Sequence, residues 1–169
     1  MKIIDRETVE DAIEIFFSLN DEELKEDVNN LKESQKLIYD LIKTTEKTPF
    51  RVPVQMNIVW RLTLVIDHCF NTFYDEMRTI PNSVLLKKMT FMEKEERTQR
   101  RDNGGFRAEK IIDESGQKDL IADVMIKAYY CGEEGKVLNE SEAYHLNLLI
   151  ISLVLIYQEQ AKKMNFHLN

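Results

Sequence analysis

The chain has 169 residues, enough for one substantial core and too few to expect two. Hydrophobic residues make up 43% and charged residues 31%, which excludes a disordered chain, and five Gly with three Pro cannot supply the frequent turns of an all-β fold. The net charge of −7 is uneven, with thirteen acidic against seven basic side chains in residues 1–48 and eight basic against five acidic in residues 87–110.

The first predicted helix runs from about Arg6 to Leu19, where Val9, Ala12, Ile13, Phe16 and Phe17 recur at the spacing of one helix face. Asn20, with Glu23 three residues on, reads as a capping box opening a second helix that extends to about Thr45. Its seam is Leu24, Val28, Leu31, Ile38 and Ile42, with Gln35 as a polar member of the same face. A linker over 47–53 holds two prolines, and Pro53 suits the first turn of a third helix reaching about Arg78. There Ile58, Leu62, Val65, Ile66, Cys69, Phe73 and Met77 share a face, while Trp60 and Leu64 point the other way, so this helix is expected to lie centrally.

Pro81 ends that segment, and Asn82 or Ser83 caps a fourth helix whose first half buries Leu85, Met89 and Met92. Its second half, Glu93–Arg101, is polar on every face and supported by the pairs Glu93–Arg97 and Glu96–Arg100. Asp102-Asn103-Gly104-Gly105 is the strongest breaker, read as a flexible Gly-Gly turn near 102–105. A short helix around 107–114, another over 118–131 and a turn at 132–136 follow. The last helix, about 140–163, has Asn139 and Glu142 as its capping pair. Its apolar run, Leu146–Tyr157, is about twelve residues, well short of the ~20 that span a bilayer. It reads as a buried core helix. The expected fold is therefore an all-α, single-domain helical bundle of about six helices over residues 1–169, with a buried apolar C-terminal helix.

Cys69 and Cys131 form no CxxC or Cys/His spacing, and the N-terminus lacks an apolar signal region, so a reducing cytoplasm is the expected location and no membrane association is expected. Four constellations carry candidate chemistry. Glu22-Glu23-Leu24-Lys25-Glu26 resembles the EExxE half of the Mg-dependent MazG-like pyrophosphohydrolases, in which converging carboxylates hold a hard cation on a triphosphate. The ExxD half of that pattern is missing from the whole chain, and acidic residues also suit a helix N-terminus for electrostatic reasons. Arg61 followed by His68 resembles the Arg–His pair of HEPN-like nucleases, which would handle phosphate charge and proton transfer. This chain departs from that family in having Leu62, not a polar residue, directly after the Arg.

Glu142 and His145 stand at i, i+3, the spacing by which ferritin-like bundles hold metal, but the motif occurs once where that class uses two. The basic stretch holds Arg97, Arg100, Arg101, Phe106 and Arg107, and acidic residues interspersed among them argue against a nucleic-acid footprint. An acidic protein partner, or a second copy of the chain, fits that stretch better. The leading expectation is a non-enzymatic interaction or regulatory protein without a cofactor. The alternatives are a nucleotide or RNA phosphate hydrolase using Glu22, Glu23 and Glu26 or Arg61 and His68, and a metal- or small-ligand-binding bundle.

Overall fold

The computed structural model describes residues 3–46, 50, 53–74, 77–103, 108–130 and 138–166. Among them the chain is all-helical, with α1 (Arg6–Ser18), α2 (Asp21–Ser34), α3 (Lys36–Thr45), α4 (Pro53–Phe73), α5 (Asn82–Asn103), α6 (Glu109–Ser115), α7 (Lys118–Tyr130) and α8 (Glu140–Phe166). Eight helices stand where about six were expected. One difference is at Gln35, where φ −132° and ψ 58° break the anticipated second helix into α2 and α3.

Local chemistry explains where the helices start and stop. Asp5 accepts from the Thr8 amide at 2.8 Å to open α1. Asn20 and Glu23 form the complete reciprocal capping box of α2, and Asn139 with Glu142 does the same for α8. Gly116 ends α6 at φ 69°, a left-handed conformation that a side chain would disfavour. Of the turn expected near 102–105, Asp102 and Asn103 instead belong to α5, and Gly104 and Gly105 lie outside the described residues.

Helix α4 is the central element, packed against α1, α2, α7 and α8. It buries Ile58, Leu62, Val65, Ile66 and Cys69 on one side and Trp60 and Leu64 on the other. Helix α8 is the second pillar, buried at every residue from Ile150 to Gln158. A side chain fully buried in such a core stabilises the fold by about 1.5–3 kcal/mol. No helix among the described residues is long and apolar enough to cross a membrane.

Polar side chains buried in this core serve the irregular backbone between helices. Gln35 accepts from the Ile80 amide at 2.9 Å and donates to the Arg78 carbonyl at 3.3 Å, holding the α4–α5 connection against the α2–α3 break. Gln160 donates toward the Arg78 and Thr79 carbonyls from α8. Gln117 accepts from the Ile4 amide at 3.1 Å, and Gln158 donates to the Ser115 carbonyl. Each supplies a partner to backbone that has no helical one, as a buried peptide group requires.

Candidate functional site

The residues singled out for metal-dependent hydrolysis are held apart from one another in chemical role. Glu23 is engaged by the α2 cap, its carboxylate accepting from the Asn20 amide at 2.8 Å. Glu22 and Glu26 are exposed on the same helix. Among the described residues no group of three or more His, Cys, Asp or Glu is placed to hold a metal ion. Glu142 is likewise committed to the α8 cap, and His145 lies with Nδ1 2.6 Å from the Ser141 carbonyl one turn back.

Arg61 and His68 have separate tasks. The Arg61 guanidinium donates to the Phe16 carbonyl at 2.5 Å and to the Leu19 carbonyl at 2.9 Å, satisfying the C-terminal carbonyls of α1 that the helix leaves open. His68 packs edge-on against the Phe16 ring, with centroids 5.5 Å apart, and forms no hydrogen bond among the described residues. Asp75, next along that stripe, lies outside the described residues.

His68 opens onto a cleft of about 170 Å³ between α2 and α4. One wall is Asp27, Asn30, Leu31 and Ser34; the other is Leu64, Asp67, His68 and Asn71. Both sets follow the i, i+3, i+4, i+7 spacing, so each is a single stripe of its helix, and Phe16 of α1 closes one end. Asp67 sits where this cleft meets the core. Its Oδ1 accepts from the Tyr157 hydroxyl at 2.6 Å and its Oδ2 from the Asn71 amide at 3.0 Å, while Asn71 in turn accepts from the Met77 amide at 2.9 Å. Desolvation raises the Asp67 carboxyl above the ordinary aspartate value, against the lowering effect of those two hydrogen bonds and of nearby His68. Tyr157 is fully buried, and its hydroxyl is pushed well above the usual tyrosine range by burial and by the charge of Asp67.

The cleft was not apparent in the sequence beyond His68. The readable signal was the pair of polar stripes with matching spacing on two helices, together with Asp67 and Asn71 at i, i+4.

The basic stretch divides along α5. Lys87 and Lys88 contact Glu159 of α8 at 2.6 and 3.1 Å, which holds that carboxyl down at about 2, and the Tyr144 hydroxyl donates to Glu96 at 2.7 Å. Val84 and Met92 bury the same side of the helix. Thr90, Glu93, Lys94, Arg97 and Thr98 line a depression of about 210 Å³ on the outer side, with Arg97 82% exposed and 3.9 Å from Glu93. Leu86 is exposed on the same stripe as Thr90, Glu93 and Arg97, whereas Phe91 is exposed beside Lys88, whose Nζ lies 5.9 Å from its ring centroid. The side chains of Arg100 and Arg101 fall outside what is described, as do Phe106 and Arg107 altogether. Cys69 is a free, buried thiol pushed up to about 12 by burial, which makes it a poor nucleophile; Cys131 lies outside the described residues.

No protein-family model matches this chain, and neither a curated protein nor a solved structure matches it.

Proposed function

We propose that this protein is a non-enzymatic helical interaction protein that binds an acidic surface of a partner protein through the outer face of α5. The observation that carries this reading is the division of labour along that helix. Its inner side is fastened to α8 by Val84, Met92, the Lys87/Lys88–Glu159 contacts and the Tyr144–Glu96 bond. Its outer side turns Lys94 and Arg97 to solvent, with Leu86 exposed on the same side. Exposed apolar side chains next to cations that lack strong internal partners are what a protein-binding face requires. The engagement of Glu23, Arg61, Glu142 and His145 in caps and carbonyl contacts supports the same reading over the hydrolase and metal alternatives. In this reading the chain is one domain, supported by the continuous buried cluster from Ile4 to Ala161, and works in the reducing cytoplasm, in keeping with the free thiol of Cys69.

The test is a photo-crosslinking residue placed at Thr90, with capture in the source cell and identification of the product by mass spectrometry. One protein should be captured, and the double variant Lys94→Glu/Arg97→Glu should lose it while its stability changes by no more than about 0.5 kcal/mol. Capture that survives the charge reversal refutes the assignment. A crosslink to a second copy of the chain would replace the separate partner with self-association.

A further inference from the structure

We infer that the acidic surface taken up by α5 is the outer stripe of α1 in a second copy of this chain, an assignment that rests on the reading of α5 given above. The α1 stripe is Glu7, Asp11, Glu14 and Ser18, all exposed and all on one side of the helix by their spacing. Its charge is uncompensated. Glu10, on a neighbouring side, pairs with Arg6 at 3.0 Å, whereas Glu7, Asp11 and Glu14 form no ion pair or hydrogen bond among the described residues. No Lys or Arg lies between Glu7 and Leu24. Carboxylates at i, i+3 and i, i+4 repel one another along a helix, and α3 and α6 instead set Lys36 against Asp40 and Lys110 against Glu114. The helix dipole accounts for Glu7 in the first turn, but it has faded at Asp11 and Glu14. Ile15, next to Asp11 and Ser18 on the helix surface, is 46% exposed and adds apolar area to this face.

The outer side of α5 is the counterpart of this stripe in both charge and spacing. Thr90, Lys94 and Arg97 are exposed at the same steps along their helix as Glu7, Asp11 and Glu14 along theirs. Laid side by side in parallel, the two helices set Thr90 opposite Glu7, Lys94 opposite Asp11 and Arg97 opposite Glu14. A hydroxyl donor and two cations thus meet three carboxylates. The same register brings Glu93 opposite Glu10, and each of these has its own arginine, Arg97 and Arg6. Lys94 forms no ion pair among the described residues, and Arg97 has only its solvent-exposed approach to Glu93. Within one chain α1 packs on α4 and α7 while α5 packs on α8, so both stripes are left facing outward. The acidic start of α2 is a poorer counterpart, because Lys25 stands between Glu22 and Glu26. Two copies that exchange these faces reciprocally make the contact twice, as a closed two-fold pair does. Exposed charges screened by solvent make the association weak and dependent on salt.

The experiment is sedimentation equilibrium of the purified full chain and of two charge-reversed variants, Asp11→Lys/Glu14→Lys and Lys94→Glu/Arg97→Glu. Glu7 is left in place to keep a carboxylate at the α1 N-terminus. The parent should self-associate at low salt, and raising NaCl from about 0.05 M to about 0.5 M should weaken this at least about tenfold. Either reversal alone should weaken it at least about tenfold, because like charges then face each other. Mixing the two variants should restore association, since the acidic α1 of one meets the basic α5 of the other. A photo-crosslinking residue at Thr90 of the otherwise unaltered purified chain should mark a peptide containing Glu7, a readout that does not depend on how the reversed variants fold. A chain that stays monomeric at low salt overturns the second copy as partner and leaves the α5 face to a separate protein. So does a mixture that stays apart while both variants melt as the parent does. Association lost on the α1 reversal but intact on the α5 reversal refutes the reading of α5 itself. A Thr90 crosslink outside α1, or association indifferent to both reversals, overturns the pairing of these two stripes.

Discussion

Replacing Tyr157 by Phe removes one hydroxyl and leaves the ring, and so isolates the bond that steadies the buried side of Asp67. The ring should keep its place, because Tyr157 stacks on Phe70 with centroids 5.4 Å apart and is fully buried. What disappears is a donor 2.6 Å from a carboxylate oxygen. A hydrogen bond to a charged group contributes about 1.5–3 kcal/mol, so the variant should unfold at a correspondingly lower urea midpoint with an unchanged slope. For a chain of this length, about 2–4 °C per kcal/mol translates that into a Tm lower by roughly 3–12 °C. The pH dependence gives a sharper check. Desolvation raises the folded Asp67 above 3.8, so its contribution to stability is greatest below 3.8 and is lost as pH rises through the folded value. Removing the hydroxyl raises that folded value further. The cost of the variant is therefore largest at neutral pH and shrinks below 3.8, where only a neutral bond of about 0.5–1.5 kcal/mol has been lost. Urea melts of both proteins at neutral and acidic pH measure this difference. A cost below about 0.5 kcal/mol at neutral pH, or one that does not change with pH, refutes the account of Asp67 as an ionised, desolvated carboxylate.

Two further changes test the fastening of α5. Glu159→Gln should destabilise by about 1 kcal/mol at neutral pH, a figure kept small because Lys87 is solvent-exposed and screened. The Lys87 hydrogen bond first, and Lys88 with it, lowers Glu159 to about 2 from 4.5, so its contribution is held above pH 4.5 and lost as pH falls through about 2. A parent-to-variant gap that persists in full at the acid end would show the ion pair is not its source. Gln35→Leu should cost about 1–3 kcal/mol, because it leaves the buried Ile80 amide without its acceptor. Hydrogen exchange at Ile80 should accelerate in that variant; an amide still protected, with an unchanged midpoint, would mean another group satisfies it.

How much of the fold could be read in advance differs from helix to helix. The α1 face of Val9, Ala12 and Phe16 and the two-sided burial of α4 were both visible, because period and polarity are local properties of the chain. So were the caps at Asn20 and Asn139, where donor and acceptor lie three residues apart. Gln35 was visible as a polar residue on an apolar seam, but its reason was not. The Ile80 amide it satisfies is 45 residues away, and spacing within α2 cannot reveal a partner at that distance.

The candidate site divides in the same manner. His68 was legible because histidine is rare here, whereas Asp67 was one acidic residue among thirty Asp and Glu. Its distinction comes from burial and from Tyr157, 90 residues on, whose hydroxyl bonds it inside the core. Arg61 shows the reverse. Beside His68 in sequence it suggested phosphate chemistry, and in space it closes the end of α1. Periodicity and capping act over three to seven residues, so the chain alone settles which face is apolar and where capped helices begin, though not the break at Gln35. Whether a given charge is paired, desolvated or left facing a cleft depends on which helices meet, because electrostatic environment is set by neighbours in space.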